Sequence, residues 1–269
     1  ERSSMTDRSL AEIRPLIGMV HLPALPGAPD FEDRETVREH ALADARVLDD
    51  VGVDALVVEN FGDAPFYLDD VPDHVVAEMT AVTGAVVDAV DCPVGVNVLR
   101  NDAAAAVSVA GAVGADFVRV NVHTGARLTD QGVVEGQAHE TVRLRERIDT
   151  DVSILADVAV KHSAPLAERG VGEMVADTIE RGHADGVVVS GAATGSQTDV
   201  PDVEAVAAAR DAADPSVPVF VGSGVTADTA TSLLADADGL IVGTALKADG
   251  EVTNPVDPDR AADLVASVH

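Results

Sequence analysis

Eight short apolar runs punctuate the chain: LIGMVH (16–21), ALVVEN (55–60), PVGVNV (93–98), DFVRVN (116–121), VSILAD (152–157), DGVVVS (185–190), PVFVGS (218–223) and GLIVGT (239–244). Short β-branched runs bounded by turn residues predict strands. Between them the apolar residues recur at helical spacing, as in TVREHALADARVLDDVG (36–52) and DTATSLLADA (228–237), which predicts helices. Strand starts fall about 20 to 40 residues apart, enough for one helix each. This alternation predicts a parallel sheet with right-handed crossovers. Eight such units in about 250 residues match an α/β fold of the closed (β/α)8 TIM-barrel type. No Pro/Gly/Ser-rich linker divides the chain, so residues 10–269 are expected to form a single domain. ERSS ahead of Met5 reads as a cloning remnant, and residues 1–9 as a disordered N-terminus. An open doubly wound sheet is the weaker alternative, because no Gly-x-Gly-x-x-Gly follows the first strand.

In a barrel of this kind the chemistry sits at the carboxyl ends of the strands, so the residues closing each run are the candidates. His21 closes the first, Glu59 and Asn60 the second, and Asn97 the third, followed by Arg100, Asn101 and Asp102. The fourth carries Arg119, Asn121 and His123; the fifth delivers Asp157, then Lys161 and His162. Asp157 is the natural acid–base residue, since a carboxylate at a strand end beside histidine and lysine can be tuned toward neutral pH. Lys161 offers a compact ammonium suited to proton donation or an imine. His21, Glu59, Asn121 and His123 complete the catalytic candidates.

The sharpest local signal lies in VFVGSGVTADTA and LIVGTALK. Gly222, Ser223 and Gly224, with Gly243 and Thr244 one unit later, let backbone N–H groups approach an anion at the loops where such barrels commonly seat a phosphate. Ser190, Gly191, Asn97 and Arg100 are expected on the same rim, as is Lys247. The plainer alternatives are tight turns without a ligand, hydrogen-bonded rim histidines and a structural ion pair for either lysine. No metal ligands are assigned. A divalent metal is chemically compatible with these carboxylates and imidazoles, but no His-Glu-x-x-His spacing supports one. Nothing demands a nicotinamide, flavin or pyridoxal cofactor.

Composition narrows the partners. Net charge is −29, from 47 Asp plus Glu against 18 Lys plus Arg, yet 46% of residues are hydrophobic, so the charge coats a folded body. Lysine is nearly absent, with two against sixteen arginines, and both fall just past predicted strand ends. An acidic, lysine-poor surface suits molar salt, where screening over about 3 Å at 1 M removes self-repulsion. A halophilic, cytoplasmic protein is therefore expected. No basic stripe exists to neutralise nucleic-acid phosphates. The single cysteine, Cys92, excludes an internal disulfide and reads as an inert thiol. The longest Ala-rich run, 103–115, is too short and weakly apolar to span a bilayer, and no signal peptide is visible. Barrels of this class often pair, so a homo-oligomer is compatible with the sequence.

The motifs IGMVHLPALPGAP, VENFGDAPF, GVNVLRND, DFVRVNVHTGARLTDQGVVEG, DVAVKHSAPL, VSGAATG, VGSGVT and IVGTALKADG occur in order. They resemble the BtpA family, also called BtpA/SgcQ, and the likeness runs from about residue 13 to 265. It implies a ribulose-phosphate-binding type of barrel. The family is named for a thylakoid-associated factor that supports photosystem I accumulation, and other members resemble products of sugar-utilisation gene clusters. The resemblance carries no catalytic assignment. It adds Pro23, Thr124, Thr194 and Gly195 to the rim motifs.

The leading expectation is an enzyme that isomerises, epimerises or cleaves a small phosphorylated sugar or related metabolite. The alternative, implied by the family name, is a non-enzymatic assembly or stability factor at a membrane surface; an acidic surface without a basic amphipathic helix argues against it. A barrel that only binds a phosphorylated effector is a third reading.

Overall fold

A computed structural model describes residues 16–159, 163–190 and 198–269. Eight parallel strands close a barrel in the order β1, β11, β10, β9, β7, β4, β3, β2. These are β1 (Leu16–His21), β2 (Ala55–Glu59), β3 (Val94–Asn97), β4 (Phe117–Val120), β7 (Ser153–Ala159), β9 (Gly186–Ser190), β10 (Val219–Gly222) and β11 (Gly239–Val242). All eight predicted runs form barrel strands. Around them lie α1 (Arg34–Val51), α2 (Asp73–Val87), α3 (Ala103–Val113), α4 (Ala138–Arg147), α5 (Val171–Ala176), α6 (Val200–Ala213), α7 (Ala227–Leu233) and α8 (Pro258–Val268).

Local signals set the helix limits. Asp33 caps α1 by accepting a hydrogen bond from the Thr36 backbone N–H, and Gly52 ends that helix at φ 88°, a conformation glycine adopts without steric cost. Asp102 caps α3 in the same way through the Ala105 N–H, and Asp257 caps α8.

Strand periodicity builds two cores. Alternate residues facing outward, such as Leu16, Val20, Leu56, Val58, Val96 and Val118, pack under the helices. The inward set, Ile17, Met19, Ala55, Val57, Phe117, Leu155, Val188, Phe220 and Ile241, fills the barrel. Gly95 and Gly186 face the same interior and leave room for the rings: a Cβ on Gly95 would lie 2.3 Å from Phe117, and one on Gly186 would lie 3.2 Å from Phe220.

One feature departs from the simple alternation. The segment between β4 and α4 forms a hairpin of β5 (Ala126–Thr129) and β6 (Gly132–Glu135), and β8 (Ala164–Pro165) joins it on the other edge of β5. This three-stranded antiparallel sheet stands beside the mouth of the barrel. Its strands are four, four and two residues long, too short to announce themselves by alternation.

Candidate active site

The inward strand positions turn from apolar to polar one step above the aromatic layer. Continuing the period of two from Met19, Val57, Gly95, Phe117, Leu155, Val188, Phe220 and Ile241 leads to His21, Glu59, Asn97, Arg119, Asp157, Ser190, Gly222 and Gly243. The other polar motif residues are engaged elsewhere. Asn60 accepts from the Leu99 N–H at 2.7 Å and donates to Asp63, while Asp63 accepts from the Leu25 N–H. Asn101 clamps Val122 through both its N–H and C=O, and Asp102 accepts from the N–H groups of Val71 and Ala105. These motif residues hold the loops in place and leave the mouth to the inward set.

At the centre, Arg119 grips Asp157 with two parallel hydrogen bonds, Nε to Oδ1 and Nη2 to Oδ2, each 2.9 Å. Arg119 also donates to Ser190 Oγ at 3.1 Å, and Asn121 Nδ2 lies 3.4 Å from Asp157 Oδ2. Burial would lower the Arg119 pKa, but the charge and hydrogen bonds of Asp157 outweigh it, Glu59 adds to them, and the net shift is upward. Both oxygens of the Asp157 carboxylate are thus engaged by Arg119. The oxygens a general base would use are therefore the ones that hold the guanidinium.

On the adjacent strands, Asn97 Nδ2 donates to Glu59 Oε2 at 2.5 Å, and Glu59 Oε1 lies 3.7 Å from His21 Nε2. The His21 ring packs on Phe61 with centroids 4.8 Å apart. A Cβ on Gly243 would sit 2.6 Å from His21 Cε1, so glycine there is what admits the imidazole. Arg100 is buried above the same group; burial lowers its pKa, opposed first by Asp157, then by Glu59 and Asp130.

A cavity of about 240 Å³ opens beside this cluster. Arg119 and His21 line it together with Ser223, Gly224, Gly243 and Thr244, so the two glycine loops do meet at one cavity. Gly222 precedes the lining residues Ser223 and Gly224, and a Cβ there would be 3.3 Å from both Arg119 Nη2 and Ser190 Oγ. Ser223 adopts φ 81° and Gly224 φ 68°. A serine held in the left-handed region is uncommon and marks a loop whose backbone path is fixed by its surroundings. Arg260 also lines the cavity and donates to the Ala245 carbonyl at 3.0 Å. Sequence reasoning passed over it, although a cation in the first turn of α8 opposes the helix dipole and is a signal in itself.

Lys247 does not face the mouth. It is wholly buried, its ammonium is ion-paired to Asp44 of α1, and Asp44 Oδ1 accepts from the Val256 N–H at 2.8 Å. Burial lowers its pKa against the pull of Asp44. The reason is local: β11 ends at Val242, and a short 3₁₀ turn, Thr244–Leu246, carries Lys247 back between the barrel and α1. Lys247 is a structural residue. His123 leaves the mouth too. Its Nε2 donates to the Gly182 carbonyl at 2.8 Å, which fixes the tautomer, and its electrostatic neighbours are Asp185 and Arg145. Lys161, His162, Gly191, Thr194 and Gly195 lie outside the described residues.

Burial lowers the His123 pKa from 6.5, so the folded protein holds this ring neutral while the unfolded chain takes up a proton. Its contribution to stability is complete above pH 6.5 and is lost as the pH falls through the folded value. Denaturant unfolding measured from pH 8 to 5 is expected to show this loss, and His123→Gln should flatten it.

Among the described residues no group of three or more His, Cys, Asp or Glu is placed to hold a metal ion, and no helix is long and apolar enough to cross a membrane.

Barrel and mouth together define a TIM-barrel protein with a polar cluster at the carboxyl ends of its strands. The model of the BtpA family matches residues 12–269, and the chain belongs to that family. A Thermococcus kodakarensis protein of uncharacterized function is 49% identical over 257 residues, covering 94% of this chain and 95% of its own. The Photosystem I biogenesis protein BtpA of Synechocystis is 45% identical over 255 residues, covering 94% and 88%. The putative sgc region protein SgcQ of Escherichia coli is 32% identical over 258 residues, covering 94% of each. Among solved structures, N-(5'-phosphoribosyl)anthranilate isomerase from Pyrococcus furiosus superposes with a TM-score of 0.54 at 13% identity, covering 94% of this chain and 98% of its own. Tryptophan synthase from M. tuberculosis gives 0.59 at 20%, covering 97% and 96%. At these identities the likeness is one of fold.

Proposed function

We propose that this protein is an enzyme acting on a small phosphorylated sugar or related metabolite, with its phosphate seated between the loops that follow β10 and β11. The observation that carries the reading is the cavity lined by Ser223, Gly224, Gly243 and Thr244 together with Arg119 and Arg260. On a chain of net charge −29, a dianion is repelled from most of the surface, so a pocket framed by two glycine loops and two guanidinium groups is the place suited to hold one. His21 is the acid–base residue. It lines the same cavity, and Glu59, oriented by Asn97, can stabilise its protonated form. The Arg119–Asp157 pair forms a fixed polar floor that orients the sugar. The reaction class that fits is proton transfer next to a carbonyl, as in isomerisation or epimerisation.

A thermal-shift screen of sugar phosphates and inorganic phosphate in molar potassium chloride tests the seat, because a ligand bound only to the native state raises the midpoint. Sugar phosphates are expected to raise it, and Gly222→Asp, which sets a carboxylate against Arg119, should abolish the rise. Absence of any shift, or an equal shift in the variant, contradicts the proposal. The name of the Synechocystis relative favours a second reading, an assembly factor at a membrane surface. Vesicle flotation at high salt decides it: co-flotation without phosphate binding supports that reading.

A further inference from the structure

A second cavity, of about 160 Å³, lies on the far side of the Arg119–Asp157 pair, between the small antiparallel sheet and α5. Arg119 lines the first cavity and Asp157 the second, so the ion pair is the partition between them. Two arginines reach the second cavity, and they differ. Arg169 is neutralised by Glu173 at 2.7 Å and Asp177 at 2.5 Å. Arg127 on β5 is half-buried, and its hydrogen bond goes to a neutral group, Ser163 Oγ, at 2.5 Å. Among the described residues no carboxylate pairs with it. Burial lowers its pKa with no nearby anion opposing. A half-desolvated guanidinium without an anion is costly anywhere. In a chain with 47 acidic residues it is also an exception that evolution could have removed with one nearby carboxylate. A second observation points the same way. Asn121 is 2% exposed and lines this cavity, and its Oδ1 has no hydrogen-bond partner among the described residues. Buried polar atoms are almost always satisfied, so this one is ready to accept from a ligand.

We infer that the second cavity is a subsite for a second anionic group, a carboxylate or a phosphate, bound by Arg127, with a neighbouring hydroxyl donated to Asn121 Oδ1. The inference rests on the proposed phosphate seat and deepens it. The substrate is a short polyol or sugar chain with an anion at each end, stretched across Asp157.

Binding titrations with four probes test this: inorganic phosphate, a pentose 5-phosphate, a pentose bisphosphate, and a five-carbon aldonic acid 5-phosphate. A doubly anionic probe is expected to bind at least ten-fold more tightly than the monophosphate, and Arg127→Gln should remove that advantage while shifting the affinity for inorganic phosphate less than two-fold. The preferred doubly anionic probe tells a carboxylate from a phosphate. Equal binding of single and double anions, or an advantage that survives Arg127→Gln, overturns the inference and leaves the first seat standing. If inorganic phosphate binding is insensitive to Gly222→Asp while Arg127→Gln still weakens the doubly anionic probes, the first seat fails and the second subsite stands.

Discussion

Replacing Lys247 by methionine is expected to destabilise the protein by about 3–5 kcal/mol, the range for removing one partner of a buried ion pair. Asp44 would be left desolvated, holding only the Val256 N–H and a distant His40. The loss reaches beyond the pair, because Lys247, 203 residues from Asp44 in sequence, ties α1 to the loop whose residues Thr244, Ala245 and Gly250 line the first cavity. The double variant Asp44→Asn with Lys247→Met should recover most of the loss. Asparagine still accepts from Val256, and no charge remains buried. Denaturant unfolding of the three variants in molar salt checks this. A single-variant cost near that of an exposed ion pair, about 0–1 kcal/mol, would mean that Lys247 is not held as described.

His21→Asn is expected to lower kcat on the natural substrate by about 10²–10⁴-fold, the usual contribution of a positioned acid–base group. Phosphate affinity should change little, since the imidazole flanks the seat and the glycine loops and arginines form it. Glu59→Gln should act through His21, lowering kcat less than His21→Asn does. Steady-state kinetics of both variants, with KM and kcat separated, tests the assignment. Asp157→Asn in the same assay addresses the carboxylate that the sequence favoured.

Much of the barrel was legible because each strand is a buried run bounded by turn residues, and a parallel barrel buries both faces. Parity carried further than the motifs did. It separates Glu59 from Asn60 and places Arg119, Asp157 and Ser190 on one wall, and all three follow from counting by two from the apolar layer. It fails where the strand ends. Lys247 comes five residues after β11, past a 3₁₀ turn, and no periodicity tells whether such a loop turns over the mouth or behind it. His123 fails for the same reason, three residues after β4, where the chain swings toward the side sheet. Asp157 shows another limit. Its position was readable, but its occupation by Arg119 depends on which strands are neighbours and in what register. Arg127 and the second cavity were invisible, because β8 supplies only two residues to the sheet that forms them.

The account stands on one placement, the anion between the glycine loops, and a crystal structure with a bound sugar phosphate tests it most directly. The phosphorus is expected within hydrogen-bonding range of the backbone at Gly224 and Thr244, with the sugar directed toward His21 and the Arg119–Asp157 pair. A phosphate bound elsewhere, with these loops empty at saturating ligand, would contradict it.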